Sequence, residues 1–280
     1  MQALGETILN MKAHKNPDDY VENGLLHCGN CHTPKEHEVN FSGLSIVKKM
    51  PIPCKCQAEK DAEQAEKMKQ AEFEAWRART IREGLGSETN RECTFDRDDL
   101  SNPDVSAICR AYVNEWDKAK ENNLGLLFYG SVGTGKTFHA LTVANGLIDK
   151  GVSVRFTSIT RELSKIQGAY PEDRQMILDK LFNCDLLILD DVGAERDTSY
   201  ALEQVYTIVD GRYASNKPCL ATTNLSLNEL QKPSTTGYER IYDRILAMCQ
   251  LRLKIEGKSK RIDQAKAKEQ EALEILGLKK

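Results

Sequence analysis

Gly130-Ser131-Val132-Gly133-Thr134-Gly135-Lys136-Thr137 fits the pattern G-x-x-x-x-G-K-[ST]. It follows the apolar run Leu126-Leu127-Phe128-Tyr129 and precedes a helical pattern, the strand-loop-helix setting that a phosphate-binding loop needs. Glycines let the backbone fold tightly round an anion, so that several N–H groups and the N-terminus of the next helix point at the β-phosphate of a nucleotide such as ATP. Lys136 is expected to reach the β- and γ-phosphates, and the Thr137 hydroxyl to hold Mg²⁺.

Around this loop the chain alternates apolar strands and amphipathic helices. Leu126–Tyr129 reads as strand, Thr137–Lys150 as helix and Val152–Thr157 as strand. Thr160–Phe182 is helical with a break near Gly168–Pro171, Leu186–Leu189 is strand, Tyr200–Ala214 helix and Cys219–Thr223 strand. That order describes an α/β fold, a parallel sheet with helices on both faces and its ligand at the carboxyl ends of the strands. A helix from Pro103 presents Val105, Ile108, Tyr112 and Trp116 on one side and is expected to lead in beside the nucleotide.

The same logic locates the partners of the loop. Asp185-Leu186-Leu187-Ile188-Leu189-Asp190-Asp191 has the form of a Walker B strand, whose apolar residues bury it and whose acids emerge at the carboxyl end. Asp190 is placed to hold Mg²⁺, directly or through water. The next strand ends in Ala221-Thr222-Thr223-Asn224, which puts an amide at the lip of the pocket, where it can orient water by hydrogen bonding. Beyond it lie Arg240-Ile241-Tyr242-Asp243-Arg244 and Gly257-Lys258-Ser259-Lys260-Arg261. A guanidinium offered to a neighbour's nucleotide makes hydrolysis depend on self-association. Arg244 is the first choice for it, Arg240 the second, and Arg261 is expected on its own subunit's phosphates.

Upstream, four of the nine cysteines crowd into one stretch, Cys28-Gly29-Asn30-Cys31 and Cys54-Lys55-Cys56, separated by a hairpin-length insert. Two close thiol pairs of this kind offer four soft ligands to one tetrahedral Zn²⁺. His27, His32 and His37 lie near enough for one of them to replace a cysteine. A closed tetrahedral site has no open position for chemistry, so the module is expected to dock a partner. From Gln57 to Glu83 the chain is rich in Ala, Glu, Lys and Gln and lacks Pro and Gly, the composition of a long solvated helix. Gly84-Leu85-Gly86-Ser87 ends it, and residues 84–94 read as a hinge. A short helix, Leu4 to Met11, is expected near the start.

With 40% hydrophobic and 29% charged residues the 280-residue chain is of ordinary globular composition, and a net charge of −3 gives no support for a broad nucleic-acid surface. No apolar run approaches a membrane span and Met1-Gln2-Ala3-Leu4-Gly5-Glu6 lacks the features of a signal peptide, so a cytoplasmic protein with no membrane partner is expected.

Taken together, the loop, Asp185 to Arg196, Thr222-Thr223-Asn224 and Arg240 to Arg244 resemble the DnaC/DnaI-type helicase loaders, AAA+ ATPases of bacterial and phage replication. A zinc-binding module ahead of the ATPase domain is similar to the DnaI-type branch. The resemblance implies an AAA+ P-loop NTPase core with its lid absent or minimal, preceded by a small zinc-ribbon-like domain and a long helix. It divides the chain into a helicase-docking module at 1–56, a helical linker and hinge at 57–94, the ATPase domain at 95–262 and a tail at 263–280. It implies that the first module grips a hexameric replicative helicase, while the ATPase domain binds ATP and single-stranded DNA. Arg161, Lys165, Tyr170 and Arg174 would touch that DNA, although Glu162, Glu172, Asp173 and Asp179 dilute the charge. In the AAA+ pattern a Glu that polarises the attacking water usually stands where this chain has Asp191, and the shorter side chain implies slow hydrolysis. Two other readings fit the ATPase motifs: an IstB-like ATPase that helps a transposase choose targets, and a nucleotide-gated adaptor that barely hydrolyses.

Overall fold

The computed structural model describes residues 13–41, 46–194, 198–233, 235–276 and 278. The short helix expected at Leu4 to Met11, and Glu195 and Arg196 of the quoted motif, lie outside the described residues. The chain forms two compact units, residues 1–74 and 75–280.

In the first unit β1 (Tyr20–Glu22) and β2 (Leu25–His27) pair antiparallel through Asn23-Gly24. Both turn residues have positive φ, 49° and 81°, the conformation that a tight two-residue hairpin of right-handed twist demands and that Asn-Gly supplies at least cost. A second ribbon joins β3 (Glu36–Phe41) to β4 (Ile46–Pro51), with Glu36 opposite Pro51 and Phe41 opposite Ile46. Leu26, Cys28 and Cys54 are the buried apolar residues described here, too few to fold such a module by burial alone. Helix α1 (Lys55–Gly84) then starts on the last cysteine pair, its first turn closed by Gln57 and Ala58 N–H groups on the Cys54 carbonyl. Most of its length is exposed, as its composition predicts.

The second unit takes over within α1. Segment 84–94, expected as a hinge, is packed: Leu85 is fully buried, Ile81 and Trp76 join the same cluster, and Asn145 Nδ2 donates to the Asn90 and Cys93 carbonyls at 2.9 Å each. Leu85, between Gly84 and Gly86, is the residue of this run that enters the core. Helices α2 (Pro103–Asn114) and α3 (Trp116–Glu121) follow, the expected single lead-in helix being interrupted at Glu115.

The remaining elements are β5 (Leu126–Tyr129), α4 (Lys136–Ile148), β6 (Val154–Ser158), α5 (Ile159–Gly168), α6 (Pro171–Asn183) and β7 (Leu186–Val192). They continue with α7 (Ser199–Ala214), β8 (Cys219–Thr223), α8 (Leu227–Gln231), α9 (Thr236–Met248), β9 (Leu251–Lys254) and α10 (Lys260–Ile275). All five strands are parallel, in the order β6-β7-β8-β5-β9. Neither β9 nor α10 was anticipated from the sequence. Leu251-Arg252-Leu253-Lys254 is half polar because it borders the sheet, which hides the burial signal by which the inner strands are recognised.

Both faces of the inner strands are buried, and side chains alternate between them. Leu126, Phe128, Leu186 and Ile188 pack with α2 and α4, whereas Leu127, Leu187 and Leu189 pack with α5, α7 and α9. At the far end of α7 the fully buried Arg212 caps α6. Its guanidinium donates to the carbonyls of Leu181, Phe182, Cys184, Asp185 and Pro218, tying the end of α6 to the starts of β7 and β8. Among the described residues no helix is long and apolar enough to cross a membrane.

Candidate functional site

Because β5 lies between β8 and β9, the loop after it opens beside the carboxyl ends of β8 and β7. Gly130, Gly133 and Gly135 have φ of 140°, 81° and 103°, in the region that L side chains rarely adopt. Space enforces the same choice at Gly130, where a Cβ would stand 2.4 Å from the Ile255 carbonyl oxygen. Lys136 opens α4 and is 7% exposed; its Nζ donates to the Gly130 and Ser131 carbonyls at 2.8 and 2.7 Å, and Thr134 Oγ1 donates to Ser131 O at 2.9 Å. Burial lowers the Lys136 pKa, against the pull of Asp191 and Asp190.

Thr137 Oγ1 donates to Asp190, 3.0 Å from Oδ1 and 3.3 Å from Oδ2, so the two side chains assigned to Mg²⁺ meet. Burial raises the Asp190 pKa, and hydrogen bonds from Thr222 and Thr137 partly oppose it. Asp191 has φ of +59°, a left-handed conformation that Asp tolerates better than Glu, which gives a backbone reason for the shorter acid at this position. Its Oδ1 accepts from Asn224 Nδ2 at 2.7 Å.

These groups share a cavity of about 400 Å³ lined by Val132, Gly133, Gly135, Lys136, Thr137, Asp190, Asp191, Thr222, Asn224 and Arg261. Three further lining residues, Arg97, Asp99 and Phe138, escaped the sequence reading, and a fourth, Lys260, was quoted there only as part of the run ending in Arg261. Lys260 Nζ lies 2.8 Å from Asp99 Oδ1, and this pairing holds the Asp99 carboxyl down to about 2. No local pattern marks these two, 161 residues apart, as neighbours. The glycine cradle, buried ammonium and Thr137–Asp190 pair fit a magnesium nucleotide.

Arg244 stands elsewhere. It is not among the cavity's lining residues and is held on α7, with Nε 2.5 Å from Asp210 Oδ1, Nη2 2.8 Å from the Tyr206 hydroxyl and the guanidinium 4.7 Å above the Tyr206 ring. Arg240, one turn earlier, is exposed.

In the first unit the sulfurs of Cys28, Cys31, Cys54 and Cys56 all lie within 4.8 Å of one another. A tetrahedron with Zn–S bonds of about 2.3 Å has edges of about 3.8 Å. The observed Cys28–Cys56 and Cys54–Cys56 separations are 3.5 and 3.4 Å, so the set fits a four-sulfur metal site. The Thr33 hydroxyl brings Cys31 down to about 5, while hydrogen bonding to the other thiols pushes Cys56 up to about 12. Crowded thiols cannot all ionise without a cation among them. The histidines stay outside: His27 Nδ1 lies 3.0 Å from the Leu25 carbonyl and His32 Nδ1 3.3 Å from the Tyr20 hydroxyl. His37 is not part of the cluster either.

Residues 110–268 match the family described as IstB-like ATP binding protein. The chain belongs to that family. Its parallel five-stranded sheet, flanked by helices, is the AAA+ P-loop NTPase fold. Among relatives, the replicative helicase loader DnaC of Escherichia coli K12 is 31% identical over 139 residues, 49% of this chain and 54% of that protein. The replicative helicase loader DnaI of Bacillus subtilis 168 is 30% identical over 189 residues, 60% of this chain and 58% of that protein. The chain thus spans about half the length of the curated relatives it matches. A solved structure described as the DnaC helicase loader superposes with a TM-score of 0.52 at 24% identity, over 61% of this chain and all of that one, which is a likeness of fold.

Proposed function

We propose that this protein is an ATP-dependent DNA replication factor that binds a replicative DNA helicase and loads it onto single-stranded DNA in the cytoplasm, with ATP binding and hydrolysis as the switch. The observation that carries the nucleotide part is the Thr137–Asp190 pair beside the glycine cradle and Lys136. The similarity to proteins named replicative helicase loaders supports the helicase part. Bound Mg²⁺ would neutralise charge on the phosphates. Lys136, from within the loop, and Arg261, which lines the same cavity, would bind those phosphates. Asn224 and Asp191 orient the attacking water, and Asp191 accepts its proton. Arg244, or Arg240 beside it, serves a neighbour's nucleotide in an assembly.

In this reading residues 1–56 form the docking module, held by Zn²⁺ on Cys28, Cys31, Cys54 and Cys56, with 57–94 as the connecting segment. The ATPase domain spans 95–262 and the tail 263–280. Tyr170, 74% exposed between α5 and α6, offers single-stranded DNA an aromatic face, and Arg161, Lys165 and Arg174 on those helices would add positive charge, although Lys165 is paired with Glu162 at 2.7 Å. The decisive experiment is co-purification with a replicative helicase from the same source, with the full chain and with the cysteine module deleted, alongside ATP turnover with and without single-stranded DNA. Capture that needs the module, and turnover that responds to the strand, support the proposal. Absence of both would overturn it.

The family description favours a second reading, a transposition helper with the same nucleotide chemistry. It predicts capture of a transposase in place of the helicase. A third, an adaptor that binds ATP with little turnover, rests on the short Asp191 and predicts nucleotide-dependent capture with no phosphate release.

A further inference from the structure

Thr222 belongs to the run Thr222-Thr223-Asn224, in which only Asn224 has been given a role. It is 1% exposed, and its single hydroxyl makes two bonds, donating to Asp190 Oδ1 at 2.7 Å and accepting from the Asp191 N–H at 2.9 Å. The sheet register explains how one residue reaches both acids. β7 and β8 pair as Leu187 with Cys219, Ile188 with Leu220 and Leu189 with Ala221; the next pair is Val192 with Thr223. Two residues of β7, Asp190 and Asp191, therefore face one residue of β8, Thr222. This is a β-bulge, which re-aims side chains and frees a backbone group from the ladder. The freed group is the Asp191 N–H, and the re-aimed residue carries the left-handed φ of +59°. A hydroxyl donates to a carboxylate and accepts from an N–H at a single atom, which no apolar side chain of a strand can do. Val or Ile would suit the strand equally well but leave both bonds unmade.

We propose that Thr222 is a positioning residue that couples the two acids, fixing the Asp190 carboxylate against Thr137 while pinning the bulge that aims Asp191 at Asn224. Asn224 lies two residues on, so the end of β8 both faces the nucleotide cavity and sets the acids across from it. The inference rests on the roles given to Asp190 and Asp191 under Proposed function.

The test uses the full-length protein with Thr222→Val and Thr222→Ser. Three quantities are read: binding of a fluorescent ATP analogue without Mg²⁺, the Mg²⁺ concentration that half-restores its tight binding, and single-turnover hydrolysis of ATP. In Thr222→Val, Mg²⁺-free binding is expected to stay within about twofold, while the Mg²⁺ midpoint rises and the turnover rate falls by about 10- to 100-fold, the usual effect of losing a group that orients a metal ligand. Thr222→Ser should recover most of both. If Thr222→Val gives no cooperative melt, Thr222→Cys replaces it, keeping the volume with a weaker donor, and the same outcomes are read. A Thr222→Val protein with the wild-type midpoint and rate overturns the coupling, as does a Thr222→Ser protein equally impaired. A wild-type chain with no Mg²⁺-dependent nucleotide binding overturns the reading under Proposed function together with this one, whereas a working wild type matched by Thr222→Val overturns this one alone.

Discussion

The Asn224 amide donates to the Asp191 carboxylate at 2.7 Å, so the two groups assigned to orient the attacking water are joined to each other across the ends of β8 and β7. Neither is buried, and either is free to exchange this bond for one to water or phosphate oxygen. For Asn224→Ala we expect magnesium nucleotide binding to persist and turnover to fall by about 100-fold, the effect of removing one preorganised donor. A variant that hydrolyses ATP at the wild-type rate would remove Asn224 from the reaction.

Lys136 and Asp190 separate binding from turnover. Lys136→Ala removes the only ammonium buried within the loop among the described residues, and nucleotide affinity should fall by about 100-fold, corresponding to about 3 kcal/mol for hydrogen bonds to a charged group. Asp190→Asn keeps the shape and should retain nucleotide while losing Mg²⁺-dependent hydrolysis. Equilibrium binding with and without Mg²⁺ checks both.

The raised Asp190 pKa gives a signed pH dependence. Between the ordinary carboxylate value and the raised one, the folded protein holds this proton and the unfolded chain does not, so this group's contribution to stability falls as pH rises through that window. Magnesium needs the ionised form. On acidification, Mg²⁺-dependent nucleotide binding should therefore weaken above the pH at which an ordinary carboxylate protonates, and Asp190→Asn should abolish that inflection.

For the cysteine module, elemental analysis should find one zinc per chain, and Cys54→Ser should lose it. A strong chelator should release the metal and unfold the ribbon of β3 and β4, followed by amide exchange, while nucleotide binding by the second unit continues. Retained protection in metal-free protein would show that these thiols are not structural ligands.

Arg212→Met removes a donor from five carbonyls, of which Leu181 O keeps a bond from Cys184 Sγ and Pro218 O one from the Leu187 N–H; with about 1–3 kcal/mol for each buried group left unsatisfied, a loss of about 3 kcal/mol or more is expected in denaturant melts. Arg244→Ala is the contrasting case. Its partners are partly exposed, so stability should change by about 1 kcal/mol or less. A role in trans predicts hydrolysis lost only in assembled protein. Asp210→Ala, which removes the tether and keeps the guanidinium, should preserve assembled activity.

The sequence by itself determined the loop, the acidic strand end, the amide after β8, the four-thiol cluster and the α/β alternation. Each of these is encoded locally: glycines needing positive φ, runs of apolar residues too buried to tolerate charge, and cysteines spaced for one cation. Tertiary structure alone decided that Asp99 meets Lys260, that Arg212 caps α6, that Leu85 packs into a core, and that Leu251–Lys254 borders the sheet. Above all, it decided that a bulge in β7 sets Asp190 and Asp191 against one Thr222. Register between strands depends on how two distant segments pair and on which side chains fill the space between them, and no spacing along a single chain carries that information.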